Sequence, residues 1–232
     1  MEALVQRTMP ATWAKLAIWT GFGAAFAYFF SVVLKPFPVS FSQVLFFAGG
    51  PFWVVSATAF YGALRDTSRE VWLVAGTVLG VVAGAMVNVM AVVQSTQFTV
   101  LARQIAAAPD EATREMLTRI LWGVNVVQSG LDVSWDIFAS VATVCLGAAL
   151  LGHPRYGRVF PILGIGAAAG ALTLNLWTFP TAPAEAGLVG LGPAVGLWYA
   201  VALAQLWRSL SWLDERERPN TTNVSRLVEA DQ

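Results

Sequence analysis

Long apolar stretches alternate with short polar ones along nearly the whole chain. Six of them approach the ~20 residues a helix needs to cross the hydrocarbon core of a bilayer. They are Trp13–Leu34, Val44–Leu64, Val71–Val93, Leu131–Leu151, Val159–Phe179 and Ala194–Leu213. A moderately apolar lead-in from Ile120 leaves the start of the fourth open. The pattern predicts an all-α polytopic membrane bundle of six transmembrane helices, forming one domain over residues 1–213. A polar, disordered cytoplasmic tail is expected over residues 214–232.

The connections alternate in length. Arg65–Glu70 and Gly152–Arg158 are short and imply antiparallel neighbours. Gln94–Arg119 is the longest. Within it Phe98, Leu101, Ile105 and Ala108 recur at helical spacing, which predicts a short amphipathic helix lying on the outer membrane surface. Pro109, Asp110 and Glu111 then suit the start of a new helix, where a missing amide hydrogen costs nothing and acids favour the positive end.

Basic residues set the orientation. With a cytoplasmic N-terminus the inner segments hold Arg7, Lys15, Arg65, Arg69, Arg155, Arg158, Arg208, Arg216, Arg218 and Arg226, against Lys35, Arg103, Arg114 and Arg119 outside. That excess puts both termini in the cytoplasm. Ala25-Phe26-Ala27 imitates a signal-cleavage site, but apolar sequence runs on to Leu34, too long for a usual signal core.

Composition agrees with lipid as the main solvent. Of 232 residues 56% are hydrophobic and 12% charged, about half the charged fraction of a soluble domain. Net charge is zero, which gives no field for nucleic acid. Cys145 is expected as a small buried group, and one Cys with one His cannot build a structural zinc site. His153 is expected in a tight turn at a helix end. No metal, cofactor or catalytic residue is assigned.

Small residues suggest where helices touch. Gly76, Gly80 and Gly84 form a ladder on the third span, and Gly166 and Gly170 on the fifth. Such ladders serve contacts within one chain or a homo-oligomer through Gly76, Gly80 and Gly84. Gly49-Gly50-Pro51 should bend the second span.

The best pointer to chemistry is Asp132 and Asp136, one helical turn apart in an apolar run. A carboxylate at mid-helix costs at least roughly 2.5–3.5 kcal/mol in a bilayer. At 100° per residue Asn125, Gln128, Asp132 and Asp136 share about 80° of arc, and Thr143 and Gly147 continue that face. Asn88, Gln94 and Asn175 belong to the same outer half. Trp122, Trp135, Trp177 and Trp198 are expected at its level, as an interfacial belt or a ligand wall. Four readings stay open: cation or proton binding, recognition of an amine, hydrolysis with Asp136 as base, and a structural hydrogen bond from Asn88 or Asn175 to Asp136.

The leading expectation is binding, with or without transport, of a small solute or cation in an outward-facing polar pocket. Asp136 would be the principal charge and Asp132 its partner. Gln128, Asn125, Asn88 and Asn175 would orient the ligand and Trp135 would wall it. A non-catalytic membrane subunit or sensor is the alternative. An enzyme comes third, because neither a Gly-x-Ser-x-Gly turn nor a phosphate-binding Gly-x-x-x-x-Gly-Lys loop occurs.

The second half also carries a recognisable string: Asp132-Val133-Ser134-Trp135-Asp136, His153-Pro154-Arg155-Tyr156-Gly157, Asn175-Leu176-Trp177-Thr178-Phe179-Pro180, and Gly192-Pro193 followed by Gly196-Leu197-Trp198. Over residues 125–200 it resembles uncharacterised bacterial six-helix integral membrane proteins, a domain of unknown function. The resemblance implies a bacterial inner-membrane location and six helices, and no reaction.

Overall fold

A computed structural model describes residues 10–30 and 39–217. Among these there is no strand. The helices are α1 (Pro10–Tyr28), α2 (Val39–Leu64), α3 (Glu70–Thr96), a π-helical turn (Gln97–Leu101), α4 (Ala102–Ala106), α5 (Glu111–Leu150), α6 (Val159–Thr178), α7 (Gly192–Arg208) and α8 (Leu210–Glu217). Four runs are long and apolar enough to cross a membrane: Phe41–Leu64, Glu70–Ala106, Glu111–Leu150 and Val159–Thr178.

The other two expected spans fall short for different reasons. The first corresponds to α1, which carries Lys15, two tryptophans and two glycines among its 19 residues; the stretch up to Leu34 lies outside the described residues. The sixth is broken. α7 has 17 residues and stops at Ser209, and α8 starts at Leu210. Helix α8 carries through Asp214 to Glu217, so the first residues of the expected tail are helical. The remaining tail lies outside the described residues, as do Arg7, Lys35, Arg218 and Arg226 and the side chain of Phe98.

The outer connection is the clearest correction. No separate amphipathic helix lies along a surface there. α3 continues through the π turn into α4 as one 37-residue run, and α5 starts at Glu111 rather than near Leu131 and is 40 residues long. The cause is local. Asp110 accepts a 2.7 Å hydrogen bond from the Thr113 N–H and caps α5, while Arg114–Glu111 and Arg119–Glu115 pairs at 2.7 Å brace its first turns. The Thr113 amide holds the Asp110 carboxyl below its usual 3.8. At 1.5 Å per residue the two runs are roughly 55–60 Å long, twice the ~30 Å core. They therefore form a helical hairpin that overshoots a bilayer.

Helices pack in chain order from α1 to α3, then α5, α6 and α7, and α7 returns to α1. Small residues set the approach. On α1, Ala14, Ala17, Gly21 and Ala24 recur on one buried face, and Gly21 lies against Leu203 and Ser56. The glycine ladder of α3 is buried inside the chain: Gly76 faces Leu146 of α5, Gly80 faces Ala57 of α2, and Gly84 faces Val54 and the Gly50 carbonyl. These contacts bury the three glycines within the chain. Gly50 belongs to the same α2–α3 approach, its Cα facing Asn88 and the Gly84 carbonyl.

The α6 ladder holds at one rung only. Gly166 has nothing near it and Gly170 lies close to Leu191, while tighter approaches fall at Gly164, under the Trp198 ring, and at Gly147 of α5, against Ile165 and the Pro161 carbonyl. Trp198 also departs from the expected outer belt. It is buried against Phe160, at ring centroids 5.1 Å apart, and its Nε1 donates to the Phe160 carbonyl at 3.0 Å, near the start of α6. Trp122 and Trp177 are exposed.

The end of the bundle that carries the 65–69 and 151–158 turns is closed by a knot of side chains. His153, buried, bridges the two turns. The Arg155 N–H donates to Nδ1 at 3.2 Å, so in the neutral ring the proton sits on Nε2, which donates to Thr67 Oγ1 at 3.0 Å. The Thr67 hydroxyl donates onward to the Leu64 carbonyl at 3.1 Å. Tyr156 and Trp212 pack edge-on against the imidazole. The Tyr156 phenol, its pKa pushed up by burial, donates to the Ala202 carbonyl at 3.2 Å.

Candidate functional site

α5 places Gln128, Asp132 and Asp136 at four-residue intervals along its inward stripe, which continues through Ala139, Thr143 and Leu146. Gln128 is buried and its Nε2 donates to Asp132 Oδ1 at 3.2 Å. Asp132 and Asp136 are half-buried and close enough to act on one another electrostatically. The Asn175 side chain, buried on α6, faces the Asp136 carboxylate and also donates from Nδ2 to the Ala171 carbonyl at 3.0 Å. Thr143 turns back to the Ala139 carbonyl at 2.9 Å.

The remaining candidates separate. Asn125, a turn beyond Gln128, is exposed, and no side-chain contact ties it to the acids. Asn88 packs against Gly50 at the α2–α3 approach. Trp135 does not wall the acidic stripe. It turns toward α2 and meets Trp53 edge-on at 6.4 Å, and Trp53 stacks on Tyr199 at 5.6 Å. The Tyr199 hydroxyl meets Ser56 Oγ at 2.9 Å, and Ser56 donates to the Ala17 carbonyl at 2.8 Å. One residue of offset on α5 thus separates an acidic stripe facing α6 from an aromatic file crossing the bundle to α7.

Gln97, 2% exposed, opens the π turn, and its Nε2 has no partner, but no contact ties it to the acids. One group that acts on the acids was not evident from the sequence. Glu185, on the segment before α7, acts electrostatically on Asp132 and makes a third carboxylate. Gln128 Oε1, Asn88 Oδ1 and Trp135 Nε1 are also buried without a hydrogen-bond partner. Such atoms normally cost about 1–3 kcal/mol each when left unsatisfied. Among the described residues no Lys or Arg forms an ion pair with Asp132, Asp136 or Glu185, and no group of three His, Cys, Asp or Glu could hold a metal ion.

The start of α7 gives these groups a setting. Leu191, its N-cap, meets Gly170 of α6, and Leu191 and Val144 of α5 both pack against the cluster of Ala168, Ala171 and Val195. Gly170 is eight residues short of the end of α6 at Thr178, and Val144 is eight residues below Asp136. Helix α7 therefore begins roughly 12 Å below both levels. Between them the chain from Phe179 to Leu191 descends as irregular backbone. Of its residues from Thr181 to Gly190, only Pro183 is buried.

Comparison with known proteins adds no precedent: no family model, curated protein or solved structure matches the chain.

Proposed function

We propose that the chain is a six-helix protein of the bacterial inner membrane that binds a small cation in a water-filled vestibule open to the outside, with the 65–69 and 151–158 turns and both termini in the cytoplasm. The observation that carries this reading is the depth at which α7 begins. Irregular backbone at membrane depth is tolerated only where it is buried in protein or lines a water-filled cavity. The descending segment is exposed, so water is its natural partner. It stands at the level of Asp136 and Asn175.

The charge balance supports a cation. Two carboxylates on one helix face, with a third close by and no basic side chain paired to them, favour a positive ligand over a neutral or anionic one. Asp136 is the principal charge and Asp132, oriented by Gln128, its partner; Asn175 presents an amide beside them. Two carboxylates with neutral amides suit an alkylammonium or a monovalent ion better than a divalent metal, which takes six or more oxygen ligands or a fixed octahedron.

Purified protein titrated with methylammonium, choline and sodium tests this by thermal unfolding in a neutral detergent. At least one cation should raise the melting temperature of the parent, with Asp136→Asn abolishing the shift while keeping its own unliganded melting temperature. Equal shifts in Asp136→Asn and the parent would remove the site. The overshooting hairpin of α3–α4 with α5 favours a second reading, a membrane subunit or sensor that meets a partner outside the bilayer. A stoichiometric partner co-extracted through the hairpin, together with no cation effect, would favour it.

A further inference from the structure

The outer part of the hairpin formed by the α3–α4 run and α5 is incomplete as a packed unit. Met116 and Ile120 stand roughly 50 and 45 Å along α5 from Leu150 at 1.5 Å per residue, well past a hydrocarbon core ~30 Å thick. Water surrounds them unless something covers them. Among the described residues from Leu101 to Val127 none is buried, so the two helices of the tip make no core between them. In water an apolar helical stripe is stable when it is buried against another element. α5 has such a stripe. Met116, Ile120, Gly123, Val127 and Gly130 are spaced alternately by four and three residues and share about 80° of arc. The stripe lies roughly a quarter-turn round the helix from Leu117, Leu121 and Val124, which are partly covered on the side of buried Gln128. Met116, Ile120 and Val127 are exposed, and both glycines face open space.

Spacing, register and charge together choose the occupant. Alternation by four and three is the seam of a parallel two-stranded coiled coil, in which each knob meets its own counterpart across a twofold axis. The bilayer holds α5 of every copy in one direction and at one height, so two such seams meet in register. Charge is matched for like pairing as well. The tip carries Asp110, Glu111 and Glu115 against Arg103, Arg114 and Arg119, and the 2.7 Å pairs Arg114–Glu111 and Arg119–Glu115 hold four of these charges within α5. None of them lies on the stripe. A tip of zero net charge offers no field to a strongly basic or acidic partner and does not repel a copy of itself. At Gly123 and Gly130 the missing side chains let two backbones approach. We propose that the chain forms a parallel homodimer through the outer half of α5, with Met116, Ile120 and Val127 of each copy meeting their counterparts across the twofold axis. The dimer does not depend on the cation reading, and it fills the surface that a foreign partner would otherwise take.

Full-length protein carrying Cys145→Ala, with single cysteines placed on and off the stripe, tests this in native membranes. Under mild oxidation or a short thiol cross-linker, Ile120→Cys and Val127→Cys should each give a covalent dimer. Thr118→Cys, also exposed but on the far side of α5, should stay monomeric. Ile120→Arg sets two like charges against each other across the axis. It should convert the dimer seen by light scattering in neutral detergent to a monomer, with helix content unchanged because the side chain is exposed in the single chain. Should Ile120→Arg unfold, the cysteine comparison still decides. Cross-linking at Thr118→Cys equal to that at the stripe, or no covalent dimer from either stripe position, would overturn the proposal. In the latter case, shielding of the stripe cysteines from a water-soluble thiol reagent would assign the cover to lipid, and a stoichiometric second protein cross-linked there would assign it to a different partner.

Discussion

Replacing Gly84 by Ala adds one methyl group between α3 and α2. Its Cβ would stand 2.8 Å from Val54 Cγ2 and 3.2 Å from both the Gly50 carbonyl oxygen and the Val54 nitrogen. Non-bonded carbons rest at about 3.5–4.0 Å. Two of the three neighbours are backbone and the third is the methyl of a β-branched side chain with one favoured helical rotamer, so relief requires the helices to part. The same change at Gly80, four residues earlier on the same face, meets only the Ala57 methyl at 3.4 Å, an ordinary contact. Both substitutions gain the same helix-propensity term, about 1 kcal/mol, so it cancels in the comparison. What remains is the overpacking penalty, about 1–3 kcal/mol. Reversible unfolding in mixed detergent micelles should therefore place Gly84→Ala below Gly80→Ala by that margin, with Gly80→Ala at or above the parent. If the two variants unfold together, the α2–α3 approach at Gly50 and Gly84 is not as described.

Two other outcomes follow from single contacts. His153→Ala removes a buried ring, its hydrogen bond across to Thr67 and the local one from the Arg155 N–H, and should lower stability by about 2–4 kcal/mol; Thr67→Val, which removes the hydroxyl that Nε2 meets, should cost about 1–3 kcal/mol in the same unfolding assay. Asp110→Ala should speed hydrogen exchange at the first-turn amides of α5, Thr113 above all. Because the folded Asp110 pKa lies below its usual 3.8, the contribution of that cap is fully present above about pH 4 and is lost as pH falls through the lower, folded value. Exchange in Asp110→Ala should lack that acid dependence.

Four long helices were legible in the sequence from apolar length alone, and the short polar turns and the Pro109-Asp110-Glu111 start also map onto observed elements, whereas the first and sixth expected spans do not reach spanning length and hydropathy among the described residues. The hairpin was misread for a specific reason. The segment from Gln94 to Ala108 becomes more polar where α3 leaves the apolar region, and a change of solvent along one helix looks the same in sequence as a change of element. The depth of α7 was hidden likewise, since the sequence from Ala194 to Leu203 is apolar on every face, and only the Leu191 contact with Gly170 and the packing of Val195 with Ala168 and Ala171 reveal where it begins. At the site, the four-residue spacing placed Gln128, Asp132 and Asp136 together correctly. It could not place Trp135, whose one-residue offset turns it to another neighbour, or Glu185, which reaches Asp132 from a distant loop. The glycines show the same limit. Spacing marked Gly166 and Gly170, of which only Gly170 has a close neighbour, Leu191, whereas the tightest approaches fall at Gly164 and Gly147, where Trp198 and Ile165 stand.

Accessibility of Asp136 from the outer solution is the point on which the cation reading turns. Cys145 is the one native thiol and is buried, so Cys145→Ala supplies a cysteine-free parent, and Asp136→Cys on that background reports on the acidic stripe directly. A membrane-impermeant thiol reagent added to intact cells should modify the new cysteine, at a rate well above that of Cys145 in the native chain. Labelling only from the cytoplasmic face, or none until the protein is unfolded, would contradict an outward-facing vestibule at Asp136.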